Sequence, residues 1–205
     1  VVAFSTFVLM LPISSASGEM TDFVTALFTA VSAVCLTGLT VVDTGTYWSG
    51  FGQVAIMTMI QAGGLGIVSF ATVLGLLISG RISLSERLNT FAEAKILGAD
   101  NVPKLLQRII LVYFGFEFLL AAYLTGRFRF EYNYEWGEAL WHGLFHAISA
   151  FNNGGFSLYS DSLMGFATDP FVIAPIAIAV IVGGLGFPVL IELHEKIWKL
   201  NLQAN

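Results

Sequence analysis

The feature that most constrains this chain is an internal repeat. Leu27-Phe28-Thr29-Ala30-Val31-Ser32-Ala33 aligns with Leu144-Phe145-His146-Ala147-Ile148-Ser149-Ala150, identical at five of seven positions with an offset of 117. At the same offset Gly38 meets Gly155, Leu39 meets Phe156 and Thr40 meets Ser157. Further on, Gly63-Gly64-Leu65-Gly66 matches Gly183-Gly184-Leu185-Gly186 at an offset of 120, so three residues are inserted between the blocks. Two ordered blocks at nearly one spacing are hard to produce by chance. The chain is expected to use one local structure twice.

Hydropathy says where that structure sits. The chain of 205 residues is 56% hydrophobic and 11% charged, against about 25% charged in an ordinary soluble domain. Three apolar segments, from about Phe51 to Ile78, Leu105–Leu124 and Phe171–Leu193, reach the roughly 20 residues that spanning a bilayer requires. Val1–Leu11, closed by Pro12, is too short to span and reads as a first helix without its start. Asp22–Val34 and Glu138–Phe151 are amphiphilic stretches of about 13 residues, suited to helices that enter partway and turn back. Thr21 or Asp22 is placed to cap the first. The repeated unit is therefore helix, half-helix, Gly-bearing turn, helix, and the fold class is all-α integral membrane. The expected divisions are a first repeat over 1–80, a linker over 81–104, a second repeat over 105–193 and a tail over 194–205.

Orientation follows from the basic residues. Arg81, Arg87, Lys95, Lys104 and Arg108 in one connection and Lys196 and Lys199 in the tail outnumber Arg127 and Arg129 by seven to two, which places the former in the cytoplasm. Both half-helices then start from outside, with Trp48, Trp136 and Trp141 at the outer interface. The repeats are parallel and related by an axis along the membrane normal, as suits a pore. Inverted-topology transporters have their copies upside down.

Irregular backbone at membrane depth is tolerated where it is buried in protein or lines water. The stretches after the half-helices, Cys35–Thr40 and Asn152–Ser157, carry no charged side chain, so carbonyl oxygens are the natural ligands for a monovalent cation. The filter candidates are Leu36, Thr37, Gly38 and Leu39 in the first copy and Asn153, Gly154, Gly155 and Phe156 in the second. Gly38 and Gly155 supply backbone freedom, with ordinary turn glycines as the plainer reading. The half-helix ends at Val34 and Phe151 aim partial negative charge at the same place. Asp43 and Asp161 lie at the outer mouth, either concentrating cations or forming turns.

Other features admit plainer readings. The glycine blocks lack a full G-x-G-x-x-G and read as helix packing or kinking. Glu117, an acid in mid-segment, pairs with a buried donor or serves function directly. His142 and His146, one turn apart, pack or hydrogen-bond behind the turn. Cys35 packs as a small apolar residue, and a single Cys excludes a multi-Cys metal site. A net charge of −5 offers nothing to nucleic acid. A membrane enzyme would have to rely on Glu117 and His146, which form no motif.

The stretches Ala26–Ala33, Thr37–Thr46, Gly63–Gly66 and Leu144–Ser157 together resemble the Trk, Ktr and HKT potassium transporter superfamily, most closely the bacterial Ktr pore subunit. The resemblance implies a potassium-channel-like pore built from four such units in one chain, each giving one filter glycine. On that reading the chain holds the first two units, and a C-terminal half with two further repeats is missing. A natural half that dimerises is the alternative. The resemblance also implies potassium uptake across the cell membrane by a multi-pass homodimer on a cytoplasmic nucleotide-binding regulatory ring, which the 81–108 connection would contact. Glycine at position 38 implies potassium as the ion, with sodium or mixed transport and symport as variants within the superfamily.

Overall fold

The computed structural model describes residues 1–79 and 102–185, with side chains described at 1–66, 110, 111 and 113–185. The expected linker over 81–104 (apart from 102–104), the tail over 194–205, and residues 186–193 of the fourth apolar segment lie outside the described residues. The described residues hold seven α-helices and no strand. A single antiparallel bridge joins Ser15 and Trp48.

Helix α1 covers Val2–Met10 and is followed by a 3₁₀ turn, Pro12–Ser14. Helix α2, Phe23–Val34, starts where Asp22 accepts a hydrogen bond from the Thr25 N–H at 3.0 Å, satisfying one of the orphan donors of a helix start. It turns small residues inward, with Ala26, Thr29, Ala30, Ser32 and Ala33 buried. A short helix α3, Thr44–Tyr47, leads into α4, Gly50–Ser79. Helix α5 covers Val102–Phe130, α6 covers Trp136–Phe151, and α7 covers Pro170–Leu185. Pro170 begins α7 and Asp169 accepts from the Phe171 N–H at 2.9 Å, a proline and an acceptor at a helix start.

Two compact units are distinguished. The first comprises Val1–Leu65 and Phe116–Leu185; the second, among the described residues, holds 66–79 and 102–115. The core of the first unit gathers Leu9, Ala26, Ala30, Trp48, Ile56 and Ile60 with Phe145, Phe156 and Leu158. Small and polar residues such as Ser5, Thr6, Ser32 and Ser149 are buried, while Phe4, Phe7, Phe118, Leu119, Phe171 and Ile181 are exposed. Small residues let helix backbones approach closely.

Several expectations shift. Helix α5 continues past the expected Leu124, because Arg127 and Arg129 occupy its last turn, where cations complement the helix C-terminus. Helix α6 begins at Trp136 rather than Glu138, which sits in its first turn. Trp48 is 1% exposed, not an interfacial side chain: its ring packs edge-on to Tyr47 and joins the core. Among the described residues no helix is long and apolar enough to cross a membrane. The segments expected to span are each only partly covered by described side chains.

Candidate functional site

The two half-helices end in the same way. Helix α2 closes with Cys35 as its last half-helical residue, Leu36 at φ +57° and the Thr37 N–H bonded to the Ser32 carbonyl at 3.0 Å. Helix α6 closes with Asn152, then Asn153 at φ +58°, then the Gly154 N–H bonded to the Ser149 carbonyl at 2.7 Å. This is the Schellman closure, in which a left-handed residue lets the chain reverse and satisfy a free carbonyl. Every position matches at the offset of 117. Two residues on, Gly38 and Gly155 are again left-handed, at φ +69° and +73°.

The two glycines face each other. A Cβ added to either would lie 2.8 Å from the other's Cα, so backbone is pressed on backbone and no side chain fits between. Behind each turn, a glycine of the following helix presses on the last carbonyl of the half-helix: Gly63 on Val34 and Gly183 on Phe151. That is the packing role of the glycine blocks, and Gly63 lies within an unbroken α4.

Outward of the glycines a cavity of about 330 Å³ opens, lined by Gly38, Thr40, Asp43, Gly155, Ser157 and Ser160 among others. Asp43 caps α3, its Oδ1 accepting from the Thr46 N–H and hydroxyl, each at 2.8 Å. The Ser160 hydroxyl, most of all, holds its carboxyl below the usual carboxylate range; burial opposes this, and Thr46 and Gly45 add to the lowering. Asp43 therefore both forms a turn and lines this cavity. Asp161 is exposed and does not line the cavity; its carbonyl accepts from the Met164 N–H at 3.2 Å.

The second turn is held by a different set of side-chain hydrogen bonds from the first. Ser149 Oγ donates to the Phe156 carbonyl at 2.6 Å. His146 Nε2 meets Ser157 Oγ at 3.0 Å and the Leu158 N–H at 3.4 Å, while its Nδ1 meets the His142 carbonyl at 2.7 Å. The Asn153 amide, oriented to suit its neighbours, donates to the Val180 carbonyl at 3.2 Å and accepts from the Gly184 N–H at 3.1 Å. A carbonyl oxygen has two lone pairs, so the Ser149 bond leaves Phe156 one direction for another ligand.

Glu117 is 4% exposed and pairs with amides. Its Oε2 accepts from Gln61 Nε2 at 3.0 Å and its Oε1 from Asn152 Nδ2 at 2.8 Å. It shares no partner with His146, so these two residues do not converge on a common point. Gln61 carried no recognisable signal in the sequence beyond being one amide in an apolar run. Cys35 is exposed rather than packed, because it sits where the helix gives way to the turn. Among the described residues no cluster of His, Cys, Asp and Glu could hold a metal ion.

Two matched, left-handed glycine turns thus follow two helices in a chain whose described residues form helices and no strand. Residues 3–204 match the TrkH family of cation transport proteins, and the chain belongs to that family. It is 41% identical over 191 residues to the Ktr system potassium uptake protein B of Bacillus subtilis, covering 92% of this chain and 41% of that protein. It is 35% identical over 205 residues to the potassium/sodium uptake protein NtpJ of Enterococcus hirae, covering 99% of this chain and 45% of that protein. A Ktr system potassium uptake protein B from Vibrio alginolyticus is 40% identical over 191 residues. The chain spans less than half the length of these relatives.

Proposed function

We propose that this chain forms two of four quarters of a potassium-selective pore in a multi-pass cell-membrane uptake protein. Monovalent cations would pass the backbone carbonyls of Leu36–Leu39 and Asn153–Phe156, with Asp43 at the outer mouth. The single observation that carries this reading is the abutting left-handed pair Gly38 and Gly155, at matched positions and beside a polar cavity. Left-handed residues alternate with others at 36 and 38, and again at 153 and 155. Such alternation swings successive carbonyls toward one side, as carbonyl coordination of a dehydrated ion requires.

The outward-facing Phe, Leu and Ile side chains suit a lipid bilayer, with α4, α5 and α7 as the crossing helices of tandem, parallel repeats. The relatives' greater length supports two further repeats in the whole protein. Homodimerisation, contact with a cytoplasmic nucleotide-binding ring, and symport belong to the same proposal. The name of the Enterococcus relative includes sodium, which favours a second reading in which sodium shares the path.

The test is cation uptake by the full-length protein in cells lacking their own potassium uptake systems. Gly38→Ser places a side chain on a left-handed residue pressed against Gly155. The expected result is a several-fold loss of preference for potassium over sodium. An unchanged preference removes Gly38 from the filter.

A further inference from the structure

Glu117 belongs to neither turn, yet its two oxygens are both engaged by amides from two other helices. Gln61 comes from α4, the helix that follows the first turn, and donates at 3.0 Å. Asn152 closes α6 and donates at 2.8 Å. Asn152 Nδ2 also reaches the Gln61 Oε1 at 3.3 Å and the Ile148 carbonyl at 2.8 Å. One carboxylate thus ties α5, α4 and the end of α6 together immediately before the second turn begins. Beside it Phe116 stacks on Phe151 with centroids 5.7 Å apart and planes 12° apart, so two adjacent residues of α5 grip two adjacent residues of the α6 terminus.

This arrangement is specific to the second copy. The position matching Asn152 at the offset of 117 is Cys35, and the position matching Gln61 at the offset of 120 is Ile181. Neither can reproduce an amide–carboxylate contact. The network is therefore not a repeated structural element but an added one. It acts on the residue next to Asn153, whose left-handed angle sets the course of Gly154 and Gly155.

A buried carboxylate is a costly way merely to fill space, since it must keep all its partners to stay where it is. Its geometric advantage is that two acceptor oxygens hold two amide donors from different helices, at 3.0 and 2.8 Å. A filter distinguishes ions that differ by tenths of an ångström, so stiffness at the root of the turn bears on which ion is preferred.

We propose that Glu117 is a positioning residue for ion selectivity, holding Asn152 and Gln61 so that the turn at Gly154 and Gly155 keeps the spacing that favours potassium over sodium. The proposal rests on the reading of Gly38 and Gly155 as filter residues.

The experiment measures potassium, rubidium and sodium uptake by the full-length protein carrying Glu117→Gln, Glu117→Leu or Asn152→Leu, with membrane abundance determined for each. Both Glu117 partners present N–H groups, and a glutamine has one acceptor oxygen, so Glu117→Gln keeps one bond and loses the other. A two- to five-fold fall in potassium preference is expected for Glu117→Gln, and ten-fold or more for Glu117→Leu. Asn152→Leu should match Glu117→Leu, and the double variant should add nothing further, because the residues act as one unit. Uptake of all three ions falling in proportion, with selectivity unchanged, overturns the proposal in favour of a purely structural role. If Glu117→Leu fails to reach the membrane, Glu117→Gln decides: an unaltered ion preference in that variant also overturns it. Gly155→Ser is measured alongside. Altered selectivity in Gly155→Ser with none in Glu117→Gln defeats only the positioning role. No change in either defeats the filter reading itself.

Discussion

The turns after α2 and α6 have one backbone and two kinds of support. Their left-handed residues and closing hydrogen bonds coincide at the offset of 117, and the glycines pressed behind them at 120. Their side chains do not. His146, which holds Ser157 and the Leu158 N–H, stands where the first copy has Thr29, whose buried hydroxyl has no hydrogen-bond partner. Asn152, in the carboxylate network, stands where the first copy has the exposed Cys35. Phe156 is 3% exposed and its counterpart Leu39 is 61% exposed. The first turn has one side-chain tie of its own, Thr37 Oγ1 to Ser32 Oγ at 3.0 Å. Backbone geometry here is set by local closure rules, which tolerate almost any side chain that accepts a left-handed angle. The surrounding support is therefore free to diverge between copies.

The sharpest test of the shared half of this comparison lies behind the turns. Gly63→Ala and Gly183→Ala each drive a methyl into a half-helix carbonyl that cannot move without the helix. Each should destabilise the full-length protein by about 1–3 kcal/mol or more, to a similar extent, measured by thermal unfolding in detergent. Tolerance of one and not the other would break the equivalence of the two turns.

The unshared half is tested by the matched serines. Ser149→Ala leaves the buried Phe156 carbonyl without its hydroxyl donor and should cost about 1–2 kcal/mol. Ser32→Ala loses only a partly exposed hydroxyl pair and should cost under about 1 kcal/mol. Equal losses would mean that the two turns are braced alike.

The smallest effect concerns the mouth. The Asp43 carboxyl titrates below its usual value near 3.8. A depressed value means that the folded form favours the carboxylate, so its contribution is complete above that usual value and fades as pH falls through the lower folded one. Wild-type protein should lose a little stability in that acid window, and Asp43→Asn should abolish that part of the loss. The same curve in both proteins would show that Asp43 is merely solvated.

Much of this was legible from residue order. The amphiphilic stretches Asp22–Val34 and Glu138–Phe151 located both half-helices to within two residues of their observed starts, and the pairing of Gly38 with Gly155 located the left-handed glycine of each turn. Leu36 was not legible as left-handed, because a bulky aliphatic residue at positive φ is rare and the helix closure that holds it there is made by backbone hydrogen bonds that carry no residue signature. The role of Gly63 and Gly183 was legible only as packing in general, since the carbonyl each one meets lies on another helix. Gln61 was an isolated amide and Asn152 the first residue of the second turn stretch, separated by 91 residues, and nothing short of the fold brings them to Glu117. Trp48 was misplaced for a related reason: an indole next to a glycine-rich helix start reads as interfacial until the bridge to Ser15 draws it inward.

The glycine contacts also order the assembly of the chain. Val34 and Gly63 are 29 residues apart and Phe151 and Gly183 are 32 apart, so each turn can be locked by the helix made directly after it. Closing a loop of that length carries a modest entropic penalty that grows only slowly with length. The Gln61–Asn152 contact spans both copies and cannot form until the second half-helix exists. Synthesis from the N-terminus would therefore complete the first turn alone, allow the carboxylate network as soon as Asn152 is made, and lock the second turn only when Gly183 follows.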